Sequence, residues 1–221
     1  MAIVLDGSSA AGVLNLGTNG TITNLAEGGL PDGKVTSADL KSTSGTAGAS
    51  TYYRGDQTWG TVSGGIEEYD EWRIHTTFDP NSTSLQTLTA NWERNDTDFT
   101  HIGTGMTQSS GVFTFPSPGI WYIECTVAYV CSSQMRYCYA CVSLTTDDGS
   151  NWNQRAQPHS GRDACSPNGF VWARASAGFD VTSVSDCKAR MQVRSSVSSA
   201  GANGASDANY TYMTFRKLGP T

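Results

Sequence analysis

From Glu67 onward, apolar and polar residues alternate in short runs that Gly, Asn, Asp and Pro interrupt. A period of two marks a strand with one face buried. In Tyr69 to Phe78 the alternation sets Trp72, Ile74 and Thr76 against Glu71, Arg73 and His75. Gly111 to Phe115 reads as a short strand, broken by Pro116-Ser117-Pro118-Gly119, because proline cannot donate to a ladder. Ile120 to Val130 resumes with Ile123, Cys125 and Val127 on one face, and Cys138 to Leu144 aligns Cys138, Ala140, Val142 and Leu144. Cys187 to Arg194 alternates most cleanly, and Tyr210 to Leu218 closes the domain. Many short strands without a helical segment of comparable length predict an all-β antiparallel sandwich or jelly roll.

Residues 1–65 differ. They are rich in Gly, Ser and Thr and carry only short apolar groups, Ile3-Val4-Leu5 and Val13-Leu14-Asn15-Leu16 among them. Such a segment cannot close a core of its own, so it stays disordered or is ordered by other copies or by a larger body. The division predicted is an extended N-terminal arm, 1–65, and a globular head, 66–221.

Composition narrows the function. The net charge is −6 and charged residues are 15% of the chain, so no positive field gathers phosphates and nucleic acid is not an expected partner. No apolar run approaches the about 20 residues that cross a bilayer, so no membrane-spanning helix and no membrane partner are expected. The first residues lack the basic start and long apolar stretch of a secretion signal, so synthesis in a cytoplasm is the expectation.

Six cysteines stand at 125, 131, 138, 141, 165 and 187. Cys125, Cys138 and Cys187 fall on apolar faces and are expected to pack as small hydrophobes. Cys131, Cys141 and Cys165 are the better disulfide candidates in oxidising water. Cys138 and Cys141 form a C-x-x-C, but no second pair stands at zinc spacing and the motif lies inside a strand, so neither metal nor redox chemistry is expected.

No catalytic constellation is found. His75, His101 and His159 share no ligand spacing, and no Ser lies in a G-x-S-x-G elbow. No cofactor is expected, and the chain reads as a non-enzyme. Asp147-Asp148-Gly149-Ser150-Asn151 offers oxygen ligands for calcium but lacks the terminal acidic ligand of an EF-hand, and Asp-Gly favours a hairpin turn. Asp147, Asp148, Asn151 and Trp152 are the candidate receptor loop, with Trp152 able to stack on a sugar ring. Four Asn-x-Ser/Thr triplets, at Asn19, Asn81, Asn95 and Asn209, are expected from composition alone.

Gly105-Met106-Thr107, Ser110 to Pro116, then Pro118-Gly119-Ile120-Trp121-Tyr122-Ile123 resemble the central signature of C1q and tumour-necrosis-factor-like jelly rolls. Tyr210 to Phe215 resembles the last strand of that family. The resemblance covers roughly residues 67–219 and implies a homotrimer, but no glycine recurs at every third position as in a preceding collagen stalk. Independently, residues 19–25, 28–40 and 50–59 resemble linker motifs of tailed-bacteriophage virion proteins, fibres and decoration proteins.

That likeness bears on Arg54-Gly55-Asp56, which matches an animal-cell adhesion tripeptide. Between Tyr53 and Trp59, it reads as a turn at the junction of arm and head, with Gly55 supplying the turn's φ.

The two resemblances together imply a homotrimeric capsid decoration (cement) protein on a tailed-phage virion. Ile3, Val4, Leu5, Val13, Leu14 and Leu16 would anchor it to the major capsid protein by adding strands to that protein's sheet. A short tail or head fibre tip that binds a host surface glycan is the alternative, and a secreted C1q-type adhesion module is the third reading. A fibre must project, and 65 residues without heptads or collagen repeats make a poor shaft.

Overall fold

The computed structural model describes residues 44–49, 51–61, 65–96, 99–164 and 168–221. It falls into two units, Met1–Gly64 and Gly65–Thr221. In the first, β1 (Thr51–Tyr53) and β2 (Trp59–Thr61) form an antiparallel hairpin.

The second unit is an antiparallel sandwich. Its strands are β3 (Tyr69–Ile74), β4 (Gln86–Thr87), β5 (Trp92–Arg94), β6 (His101–Ile102), β7 (Thr107–Ser109), β8 (Val112–Thr114), β9 (Gly119–Cys131) and β10 (Met135–Thr145). They continue as β11 (Asn153–Ala156), β12 (His159–Arg162), β13 (Gly169–Val181), β14 (Lys188–Ser195), β15 (Gly201–Ala202) and β16 (Tyr212–Gly219). One sheet runs β11-β10-β14-β8-β7, with β12 beside β10 and β4 beside β14; the other runs β13-β9-β16-β3-β5, with β15 beside β9 and β6 beside β3. The chain crosses between layers at β8 to β9, β9 to β10, β12 to β13, β13 to β14 and β14 to β15, among others, which is jelly-roll connectivity.

The core lies between the layers. Ile123, Cys125 and Val127 of β9 face Cys138, Ala140, Val142 and Leu144 of β10 and Ala189, Met191 and Val193 of β14 across the sandwich, all buried. A chain of rings closes one end. Phe113 lies edge-on to Trp92 at 5.0 Å and to Trp72 at 5.8 Å, and packs on Phe215 at 4.9 Å. Phe115 joins Trp121 at 5.2 Å and Phe179 at 5.7 Å. Each such pair contributes about 0.5–1.5 kcal/mol beyond its buried area.

Several expectations change. Gly111 is not in a strand: Ser110 and Gly111 both hold positive φ, 48° and 78°, in the two-residue turn that joins β7 to β8. That is the type I′ geometry, whose twist matches the strands it joins. A Cβ on Gly111 would sit 2.1 Å from the Leu88 carbonyl oxygen. The Tyr69 strand stops at Ile74, so His75 is an exposed residue beyond it.

Arg73, expected on a solvated face, is 2% exposed. Its guanidinium donates to Glu93 at 2.8 Å, Asn95 at 3.0 Å, Asp96 at 3.2 Å and the Ser206 carbonyl, so burial is matched by acceptors. Asp70 is buried likewise at 1% exposure. Its carboxylate accepts from Arg94 at 3.1 Å, Trp72 Nε1 at 2.9 Å and the Met106 amide at 2.6 Å, tying β3 to β5 and to the loop before β7.

Cys131 and Cys141, expected as disulfide candidates, are buried free thiols, as are Cys125, Cys138 and Cys187. Cys141 does lie opposite the core face of β10 but is fully buried, and its thiol meets Ser143 Oγ at 3.5 Å. Cys165 lies outside the described residues.

Candidate functional site

The sandwich presents two outward faces of opposite character. On the β9 sheet, register places Trp172 opposite Ala128, Arg174 opposite Thr126 and Tyr212 opposite Thr126, so the even-numbered residues of these strands point away from the core. The odd-numbered partners, Val171, Ala173 and Ala175, are buried.

This face carries aromatic residues that meet no core. Phe170 is 53% exposed and Trp172 47%. Tyr210 stacks on Phe170 at 6.3 Å with planes 9° apart and packs against Trp172 at 6.2 Å with planes tilted by 32°. At its middle, Arg174 Nη2 meets Glu124 Oε2 at 2.5 Å; the hydrogen bond to Glu124 raises the Arg174 pKa. Glu124 is mostly covered, with 13% of its side chain exposed. Tyr122 and Tyr212 flank the pair, half-buried. An apolar patch with a central charge pair and a polar surround is the composition of a protein-protein contact rather than of a solvated surface.

None of Phe170, Trp172, Tyr210, Glu124 or Arg174 was singled out from sequence. The signal was present as Phe170-Val171-Trp172-Ala173-Arg174-Ala175, an alternation in which the large residues face out. Hydropathy assigns large aromatics to the core, and here the inward positions need small residues because β13 packs closely over β10.

The other outward face is polar. Ser143 Oγ donates to Gln192 Oε1 at 2.5 Å, and Gln192 Nε2 donates to Thr87 Oγ1 at 3.4 Å. Trp152, expected as a sugar platform, lies against the Arg190 guanidinium at 4.1 Å. Arg190 Nε is buried without a hydrogen-bond partner, and desolvation lowers the Arg190 pKa.

The loop before Trp152 is internally satisfied. Asp147 accepts from Thr145 Oγ1 at 2.6 Å, the Asn151 amide at 2.9 Å and Asn151 Nδ2 at 2.7 Å. The Thr145 hydroxyl is the largest cause of an Asp147 pKa lowered to about 2. Asp148 pairs with Lys188 Nζ at 3.1 Å. The four residues expected to form one receptor loop lie in the β10–β11 hairpin connection, with the Asp147 carboxylate directed at its own loop and that of Asp148 at Lys188 of β14. Among the described residues no three acidic, His or Cys side chains cluster as metal ligands.

Arg54, Gly55 and Asp56 occupy the tip of the β1–β2 hairpin. Asp56 accepts from the Thr58 amide at 3.1 Å and Thr58 Oγ1 at 2.6 Å, and its carboxylate lies 3.8 Å from Arg54 Nε. The Thr58 hydroxyl is the largest cause of its lowered pKa. Tyr53 and Trp59 close the hairpin with rings edge-on at 5.1 Å. The positive φ belongs to Gln57, at 63°, and not to Gly55, so glycine is not what the turn requires. The expected anchor residues Ile3, Val4, Leu5, Val13, Leu14 and Leu16 lie outside the described residues.

No family model matches this chain, and no curated protein matches it. Solved structures do. Murine APRIL is similar with a TM-score of 0.47 and 11% identity, over 68% of this chain and 98% of that one. Eiger TNF from S. frugiperda is similar with a TM-score of 0.48 and 12% identity, over 69% of this chain and 93% of that one.

Proposed function

We propose that this chain is a non-enzymatic structural protein whose jelly-roll head self-associates, as a homotrimer, through the outward face of the β9 sheet. The observation that carries this reading is the stacked Phe170, Trp172 and Tyr210 cluster beside the Glu124–Arg174 pair. Water contact with half of each of two large rings is unfavourable, and a second copy removes it. The C1q-like sequence signature supports three as the number of copies.

The phage-like motifs of residues 19–25, 28–40 and 50–59 support decoration of a tailed-phage capsid. In that setting residues 1–65 attach to the major capsid protein through Ile3–Leu5 and Val13–Leu16, and the Tyr53–Trp59 hairpin stands at the junction with the head. The virion surface is the location this reading requires.

Two measurements test it. Sedimentation of the full chain gives three times the monomer mass, and a monomer at micromolar concentration refutes self-association. Removal of residues 1–25 leaves that assembly intact and abolishes binding to particles lacking the protein; undiminished binding refutes the anchor. Imaging of purified virions separates hundreds of copies on the head from a few at the tail, the latter supporting the fibre-tip alternative.

A further inference from the structure

The polar outward face ends in an aromatic floor, part of it buried, that the proposed self-association does not use. Cross-strand register brings Arg194 of β14, Tyr139 of β10 and His159 of β12 into one row. Tyr139 and His159 stack at 4.7 Å with planes 23° apart. Tyr137, two positions along β10, lies 6.5 Å from Tyr139 with planes 24° apart and 6.4 Å from His159 with planes 43° apart; Tyr139 is buried, so the accessible rings are those of Tyr137 and His159. Arg194 binds the row from the side, donating to the Tyr139 hydroxyl at 3.2 Å with its guanidinium 5.5 Å from the Tyr137 ring.

The floor runs into a shallow polar groove. Register between β10 and β12 slips between Met135 and Cys138, and the slip opens a hollow of about 400 Å³ bordered by Gln134, Arg136, Gly161, Arg162 and Asp163. Gly161 permits the close approach: a Cβ there would stand 2.9 Å from the Met135 and Arg136 carbonyl oxygens. Arg162 is fixed, donating to the Cys131 carbonyl at 3.0 Å and the Asp163 carbonyl at 3.0 Å. Arg136 is exposed, and its guanidinium meets no acidic partner among the described residues.

We propose that Tyr137, His159, Arg136 and the groove beside them bind an acidic glycan, one that carries a carboxylate on a sugar ring. The accessible rings of Tyr137 and His159 each offer an apolar face to the C–H face of a pyranose, and their polar edges tolerate hydroxyls. Arg136 supplies a planar fork that reads a carboxylate through two parallel hydrogen bonds. The volume suits a small ligand rather than a folded partner. A chain of net charge −6 with so few cations in one place does not hold a polyphosphate backbone. The site lies within one chain and on the layer opposite the Phe170 patch, so it is open in the monomer and in the assembly proposed above.

The test uses the full chain with trigalacturonate and N-acetylneuraminyl-lactose, against uncharged lactose, by saturation-transfer NMR and calorimetry. Both acidic sugars bind, and each does so about ten-fold or more tightly than lactose, as expected for a charge-assisted contact. Arg136→Gln and Tyr137→Ala each weaken binding about ten-fold, Tyr137→Phe retains it, and Arg155→Gln on β11 leaves it unchanged. The proposal is overturned by no transfer at millimolar sugar, by equal affinity for lactose, by indifference to both site variants, or by an equal loss in Arg155→Gln. Sedimentation of the same samples reads self-association separately, so a failure of either idea is seen without the other.

Discussion

Replacing Phe170 and Trp172 together by Ser tests the proposed self-association most directly. Phe170 is 53% and Trp172 47% exposed, so each leaves roughly half its side chain, about 100 Å², in contact with water. At about 25 cal/mol per Å², covering that area is worth about 2.5 kcal/mol per residue, or about 5 kcal/mol for the pair at each contact. About 1.4 kcal/mol is a factor of ten, so the double variant weakens each contact by more than about a thousand-fold. Because neither ring reaches the core, thermal unfolding of the isolated head shifts little. A dilution series by sedimentation velocity is the assay: the parent chain holds its mass at micromolar concentration and the variant runs as a monomer. Identical masses for the two across the series would refute the assignment of this face. Loss of the folded signal in the variant would show instead that the rings support the monomer, contrary to their exposure.

Gly111→Ala forces a left-handed conformation on a residue with a Cβ and drives it into the Leu88 carbonyl, so it costs more than about 2 kcal/mol; melting by circular dichroism falls by about 4–8 °C or more. Asp147 holds its proton less tightly in the folded chain than the ordinary 3.8, so its contribution to stability is full above that value and is lost as pH falls through about 2. A carboxyl carbon titration gives a midpoint near 2 for Asp147, and Thr145→Val raises it by removing the hydroxyl donor. Burial pushes the Cys138 thiol up from 9.0 to about 12 and raises those of Cys125 and Cys141. Iodoacetamide at pH 8 therefore labels none of these three in the native protein, and peptide mapping after denaturation finds all three labelled. Asp70→Ala strands the Arg94 guanidinium and three other donors, so it costs about 3–5 kcal/mol by chemical denaturation, whereas the exposed Gly55→Ala changes stability by less than about 0.5 kcal/mol.

The strands legible from sequence were those with one face on the core and one in water. Cys187 to Arg194 read cleanly because Ala189, Met191 and Val193 meet the core while Lys188, Arg190 and Arg194 do not. β13 escaped, though it pairs with β9 over all thirteen of its residues, because its inward face is alanine-rich and its outward face holds the aromatics. Arg73 looked like a solvated residue, and only its partners from β5, the segment just after it and the loop after β15 explain its burial. Trp152 was legible as a ring beside a turn, but not as the ring that covers Arg190, which lies 38 positions away in sequence and one strand away in space.

By itself, the sequence determined the class of fold, since period-two alternation between turn residues admits little besides an antiparallel sandwich. It also determined the turn at Asp147 to Asn151, because local chemistry decides it. Tertiary structure decided which polar residues are buried, which cysteines are covered and which aromatics are left outside. Those outcomes depend on pairs brought together across strands, and a linear pattern carries the faces of each strand without naming what lies opposite them.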